Sequence, residues 1–251
     1  MPVTGKAIRR LAGLFGLTAL LSASPVAAQT PCRLALQLAL DVSGSVDSRE
    51  YRLQLDGLAS ALLDPEVQAA LLTMPDVPVV LSVFEWSGKD SQRVLFDWSP
   101  IRNKVDVAAL ASQLRDTQRA EMSVSTGLGT AMLFAGARSE TAPACFRQVL
   151  DVSGDGKNND GPRPQDVGAA LPPGLNINAL VIGPRSPGAV GAQAGEINEL
   201  VGYFQAYVLR GPEAFVEIAV GYENYAKAMQ RKLLKELQVL TLSDARSAFP
   251  E

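Results

Sequence analysis

Asp41, Ser43 and Ser45 are one carboxylate and two hydroxyls at alternating positions, and they follow the run Leu34-Ala-Leu-Gln-Leu-Ala-Leu40. Oxygens of this kind are hard donors, suited to Mg²⁺, Mn²⁺ or Ca²⁺ and poorly suited to zinc. The same triplet also serves as a turn that caps a following helix, so further donors must decide between the two readings. Two later loops supply them. Ser125-Thr126-Gly127-Leu128-Gly129 precedes a segment rich in small residues and offers the Thr126 hydroxyl. Ser153-Gly154-Asp155-Gly156 follows another apolar run and offers the Asp155 carboxylate. Together these residues suit cation binding better than bond-making.

Catalytic alternatives are thin. The chain has no histidine, which removes the usual general base of serine and cysteine hydrolases and the commonest zinc ligand. It carries no Gly-x-x-x-x-Gly-Lys-Ser/Thr phosphate loop. Asp41 could serve as a phosphoryl-accepting nucleophile beside Mg²⁺, but phosphatases of the haloacid dehalogenase type need a second Asp where this chain has Ser43. A Mg²⁺-dependent periplasmic hydrolase of phosphoesters is therefore the rival reading, and a non-enzymatic binding module the preferred one.

The elements that must position these donors follow from periodicity. Residues 34–40 form a short, almost wholly apolar run, the pattern of a strand buried on both faces of a parallel sheet. Asp41 to Ser45 then emerge at its carboxyl end, where open α/β sheets bind ligands. Residues 146–152 repeat the pattern ahead of Asp155, and 78–86 and 175–182 read as further strands. Gln92 to Trp98, after the Gly88-Lys-Asp90 turn, reads as an antiparallel partner of 78–86. Tyr203 to Leu209, rich in aromatic residues, reads as the last strand. Asp47-Ser-Arg-Glu50 resembles a capping box, opening a helix that carries Tyr51, Leu55, Leu58 and Leu62 until Pro65. Further helices are expected over 103–119, 126–137 and 164–171. From Pro212 a C-terminal helical region with a break near Gly221 is expected, its longer part spanning 222–240. The fold class is thus α/β: a doubly wound, mostly parallel central sheet with one antiparallel edge strand and helices on both faces.

Before the first strand, Lys6, Arg9 and Arg10 lead into the apolar Leu11–Leu21 and the small-residue exit Val26-Ala27-Ala28. This is the build of a secretory signal peptide over residues 1–28, with an apolar run too short to span a bilayer. Residues 29–251 are then one mature domain, periplasmic or secreted, with no membrane span. Cleavage strips three basic residues and no acidic one, so the mature chain is more acidic than the formal net charge of −3. That balance argues against nucleic acid as a partner. The chain's two cysteines, Cys32 and Cys145, fit a disulfide in an oxidising compartment. Cys32 lies nine residues before Asp41 and Cys145 ten before Asp155, which places both at the same N-terminal edge of the sheet if the two runs are parallel neighbours.

Three polar groups invite a second reading. Lys157-Asn-Asn-Asp-Gly161 could bind another cation, but a solvated turn is preferred. Asp151 could support the ion from behind or sit in a salt bridge, the structural role being slightly preferred. Glu85 and Trp86 could line a binding face, with packing at least as good an account of Trp86. Arg231-Lys-Leu-Leu-Lys-Glu236 reads as the solvated face of the last helix.

The order Asp-x-Ser-x-Ser (Asp41, Ser43, Ser45), then a distant Thr126, then a distant Asp155-Gly156, resembles the metal-ion-dependent adhesion site of the von Willebrand factor A-type domain. The wording of Leu38-Ala-Leu-Asp-Val-Ser-Gly-Ser-Val-Asp47, Val152-Ser-Gly-Asp-Gly156 and Gly211-Pro-Glu-Ala-Phe-Val216 is similar to DUF1194, an uncharacterised family of exported bacterial proteins with such a domain. The resemblance covers nearly all of residues 32–240. It implies that Asp41, Ser43, Ser45, Thr126 and Asp155 hold a divalent cation, Mg²⁺ or else Mn²⁺ or Ca²⁺. It also implies that the ion, short of protein carboxylates, accepts the acidic side chain of a partner, here an unidentified exported or envelope protein.

Overall fold

The computed structural model describes residues 1–2, 32–184 and 190–247. Apart from its first two residues, the expected leader lies outside the described residues. The strands are β1 (Cys32–Asp41), β2 (Val79–Trp86), β3 (Gln92–Ile101), β4 (Cys145–Gly154), β5 (Leu175–Gly183) and β6 (Val216–Val220). They form one sheet in the order β3-β2-β1-β4-β5-β6, with β3 antiparallel to β2 and every other pairing parallel. Helices α1 (Ser48–Leu62), α2 (Pro65–Leu71), α3 (Lys104–Asp116) and α7 (Tyr225–Ser247) pack on one face. Helices α4 (Leu128–Glu140), α5 (Pro164–Val167) and α6 (Val190–Tyr207) pack on the other. The doubly wound α/β architecture with an antiparallel edge strand is as the sequence predicts.

Strand β1 is buried along its whole length. Leu34, Leu36, Leu38 and Leu40 fill the core beneath α1, α3 and α7, while Ala39 faces the other side. The side chain of Gln37 donates to Ala135 O and Ser139 Oγ of α4, at 2.9 Å each, so this buried amide docks that helix. Asp47 caps α1 and forms a capping box with Glu50, as its sequence predicts.

Two expectations fail towards the C-terminus. The segment around Tyr203 is not a strand: residues through Tyr207 belong to α6. Leu200, Phe204 and Val208 recur at helical spacing and are buried together, and that burial overrides the β preference of the aromatic residues. The sixth strand is instead Val216–Val220, inside the region expected to be helical. Its residues pair in parallel with β5, and the last helix starts only at Tyr225, after a 3₁₀ turn at Tyr222–Asn224.

The basic stretch of α7 is a further correction. Lys232 and Glu236 are buried, not solvated. Asp151 projects from β4 into the core and would be a lone buried charge without a cation. Lys232 Nζ donates to Glu236 Oε1 at 2.8 Å and lies 3.1 Å from Asp151 Oδ1, a contact in which neither Asp151 oxygen receives a directed hydrogen bond. The structural role preferred for Asp151 is the one it has. With one cation between two carboxylates, burial prevails over the pull of Lys232 and pushes Asp151 up from 3.8 to about 8.

The sign of the resulting pH dependence is definite. The folded chain holds a proton on Asp151 that the unfolded chain releases, so this group's contribution to stability falls as pH rises from about 4 to about 8. Asp151→Asn removes the titration. Urea unfolding at pH 5 and pH 8 is expected to show the variant gaining on wild type at the higher pH, and an equal difference at both would refute the assignment.

Cys32 and Cys145 are directly opposite in the β1–β4 register and are disulfide-bonded, with Cα atoms 4.5 Å apart. The bridge lies at the amino ends of both strands, as the sequence predicts.

Candidate metal centre

Parallel pairing of β1 with β4 brings Asp41, the last residue of β1, alongside the loop that starts after Gly154. Asp41 is fully buried, and its Oδ1 accepts the Ser43 amide at 2.9 Å, which bends the chain sharply out of the strand. Gln54 of α1 donates to Asp41 O at 2.9 Å and fixes the strand end from below. Ser43 Oγ and Ser45 Oγ are 3.2 Å apart, and Ser45 Oγ donates to Asp155 Oδ1 at 2.6 Å. Four of the five expected donors therefore form one contiguous set.

Thr126 lies in a loop stapled to the one that follows Asp155. Its amide donates to Asn159 Oδ1 at 2.8 Å, and its carbonyl accepts the Asn159 and Asp160 amides at 2.9 and 3.2 Å. Its hydroxyl faces Gly156, where an added Cβ would stand 3.9 Å away. Asn158 Oδ1 takes the Gly129 amide and Asp160 Oδ2 the Lys89 amide. One side-chain oxygen each of Asn158, Asn159 and Asp160 thus ties loops together, in a turn whose Lys157, Asn159 and Gly161 are exposed. Gly129 is small for a reason: a Cβ there would meet Pro162 O at 2.1 Å, blocking the approach of α4 to this loop.

Electrostatics mark the same spot. Burial, then the charge of Asp155, pushes Asp41 from 3.8 up to about 7, against the amides of Ser43 and Asp155 that favour its ionised form. Asp155 is also raised by burial, with the Ser45 and Tyr222 hydroxyls opposing the shift. Asp41 Oδ2 is buried with no hydrogen-bond partner. An orphaned carboxylate oxygen beside a second carboxylate and three hydroxyls is a donor set that a hard divalent cation fits. Among the described residues no three His, Cys, Asp or Glu side chains cluster as metal ligands, so any site here depends on the hydroxyls.

The donors grade from buried Asp41, Ser43 and Thr126 to exposed Ser45, so the set opens outward. A groove of about 720 Å³ adjoins it, bordered by Ser45, Asp155, Tyr222, Arg49 and Lys157. Arg49 pairs with Glu223 at 2.9 Å and Lys157 pairs with Glu199, so both cations bordering the groove are neutralised. The amino end of α1 also points here, but the Asp47 carboxylate takes the Arg49 and Glu50 amides. That end is already countered by an anion. Glu85 turns away from the site, its Oε1 accepting the Tyr51 hydroxyl at 2.6 Å, whereas buried Trp86 is the register partner of Asp41 and packs by Gly154 behind the Asp41 carboxylate, not on an exposed binding face. Tyr222, which donates to Asp155 Oδ2 at 3.1 Å, was not foreseeable, because nothing in the local sequence ties a residue after β6 to the end of β4.

Solved structures share this fold at low identity. Proximal thread matrix protein 1 from the mussel byssus superposes with a TM-score of 0.53 at 16% identity, over 85% of this chain and 49% of that one. A von Willebrand factor type A protein from Catenulispora acidiphila gives 0.55 at 16% identity, over 82% and 43%. The pilus adhesin SpaC from Lactobacillus rhamnosus GG, in its open conformation, gives 0.56 at 11% identity, over 83% and 30%. The chain thus spans about half or less of the length of each. Another structure of the mussel protein is described as having a zinc-occupied MIDAS motif. No curated protein sequence matches. The family model described as "Protein of unknown function (DUF1194)" matches residues 31–241, so the chain belongs to the DUF1194 family, here with a von Willebrand factor A-type fold.

Proposed function

We propose that the protein is an exported, metal-dependent interaction module. Asp41, Ser43, Ser45, Thr126 and Asp155 hold a divalent cation, preferably Mg²⁺, at the carboxyl end of the sheet, and the ion takes up a carboxylate from a partner protein of the same compartment. The observation that carries this reading is the buried, unpartnered Oδ2 of Asp41 next to Asp155. Two close carboxylates are costly in a buried site, and a cation offsets that cost while drawing both to their ionised forms. Two ionised carboxylates balance a divalent charge, but with neutral hydroxyls as its other protein donors the ion keeps an open coordination position for an external oxygen. The groove lining carries Glu50, Glu196, Glu199 and Glu223 against Arg49 and Lys157, both already paired, so its own charge does not draw an anion and attachment rests on the ion. The disulfide fits an oxidising, extracytoplasmic compartment.

The test is capture from envelope extract on immobilised mature protein in Mg²⁺, in EDTA, and with Asp155→Ala in Mg²⁺. A partner retained only by wild type in Mg²⁺, and released by a carboxylate-rich competitor, is the expected result. Retention indifferent to EDTA and to Asp155→Ala would remove the ion from the interaction. Turnover of a generic phosphoester that depends on Mg²⁺ and Asp41 would favour the hydrolase instead.

A further inference from the structure

Both oxygens of Asp155 are engaged by hydroxyl groups, Oδ1 by Ser45 at 2.6 Å and Oδ2 by Tyr222 at 3.1 Å. The two donors differ in kind. Ser45 is exposed and belongs to the motif loop, whereas Tyr222 is 4% exposed and comes from the turn between β6 and α7. That turn is held on three sides. The Gly221 amide donates to Gly183 O of β5 at 2.9 Å, and Asn224 Nδ2 donates to Val220 O at 2.6 Å. Glu223 is paired with Arg49 of α1. Gly221 has φ of 74°, which a residue with a Cβ rarely adopts, and this sharp reversal turns Tyr222 inward beneath Asp155.

We propose that Tyr222 is a positioning residue of the cation site, fixing the orientation of Asp155 from the side opposite Ser45. The inference rests on the ion-binding reading above and adds a sixth residue to it. Holding one oxygen of the carboxylate on a rigid donor leaves Asp155 fewer orientations to lose when an ion arrives. Partners of this kind behind a metal-binding carboxylate are typically worth 10–100-fold in affinity. Tyr225 supplies a matched control. It is buried in the same region, its ring stacks on Tyr222 with centroids 6.5 Å apart, and its hydroxyl lies 3.1 Å from Ser153 Oγ, away from the donor set.

The experiment compares wild type, Tyr222→Phe and Tyr225→Phe by Mg²⁺ and Mn²⁺ calorimetry, with thermal melts in EDTA. Each variant deletes one buried hydroxyl and keeps the ring, so both are expected to fold and to lose comparable stability without metal. Tyr222→Phe is expected to raise the Mg²⁺ Kd roughly 10–100-fold, and Tyr225→Phe to leave it unchanged. A purely structural role would lower both melting temperatures and move neither Kd. If wild type binds and Tyr222→Phe binds equally well, the inference about Tyr222 falls while the site stands. A wild type that binds neither ion overturns the site and the role of Tyr222 together.

Discussion

Asp41→Asn or Asp41→Ala is expected to abolish Mg²⁺ binding, and Asp41→Asn, which keeps an acceptor for the Ser43 amide, to leave the metal-free protein at least as stable as wild type. Losing a buried polar side chain usually destabilises, but this carboxylate is held up to about 7 by burial and by Asp155, and one of its oxygens has no partner. Its removal relieves a repulsion in the absence of metal and deletes the central donor in its presence. A ligand at a hundredfold excess over its Kd stabilises by about 2.7 kcal/mol. For a domain of this size that is roughly 5–10 °C in Tm. Wild type should gain that increment on adding Mg²⁺, and the variants none. Melts in EDTA and in excess Mg²⁺ separate the two effects. A wild-type Tm indifferent to Mg²⁺, Mn²⁺ and Ca²⁺ would reduce the donor set to a group of turn residues.

The second large effect concerns the opposite end of the same strands. Replacing Cys32 and Cys145 with Ser is expected to cost about 4–5 kcal/mol in the chain-entropy account of a loop of this length. The bridged residues are 113 apart in sequence. The expected fall in Tm is roughly 10–15 °C, reproduced on the unaltered protein by a reductant in calorimetry. The ion site should still bind Mg²⁺ in the folded fraction, because hydrogen bonds between the loops, not the bridge, gather its donors. A Tm unmoved by reduction would mean that the β1–β4 pairing holds the loop closed without the covalent link.

How legible the molecule was in its sequence depended on whether the deciding contact was local. Strand β1 announced itself through seven alternating Leu, Ala and Gln residues, and its end through Asp41, Ser43 and Ser45. Thr126 and Asp155 could be found because each sits in a short Gly-bearing loop beside a periodic element. The helical face Leu200, Phe204 and Val208 was present as an i, i+4, i+8 pattern, but the cluster of Tyr and Phe drew the reading towards a strand. Strand β6 is five residues long at the sheet's edge, with Glu217 between its apolar residues, too short for periodicity to separate it from a helix. Lys232 and Glu236 have the spacing of a surface helix pair, and only Asp151, more than eighty residues earlier, makes their burial intelligible. Tyr222 has the same character: its role exists only once β6 lies beside β5.

The central position of β1 carries a consequence for how the chain folds. This strand precedes every other in sequence, yet its neighbours in the sheet are β2 and β4, and the β4 edge stays open until residues 145–154 can pair with it. Through that interval the chain holds a long, apolar, unpaired strand edge, the kind of surface that invites intermolecular association. Contacts so distant in sequence make assembly slow. The cysteines meet only when β4 has docked in register, so oxidation acts as a ratchet on a correctly ordered sheet. A chain kept reduced would expose that edge again each time it opened.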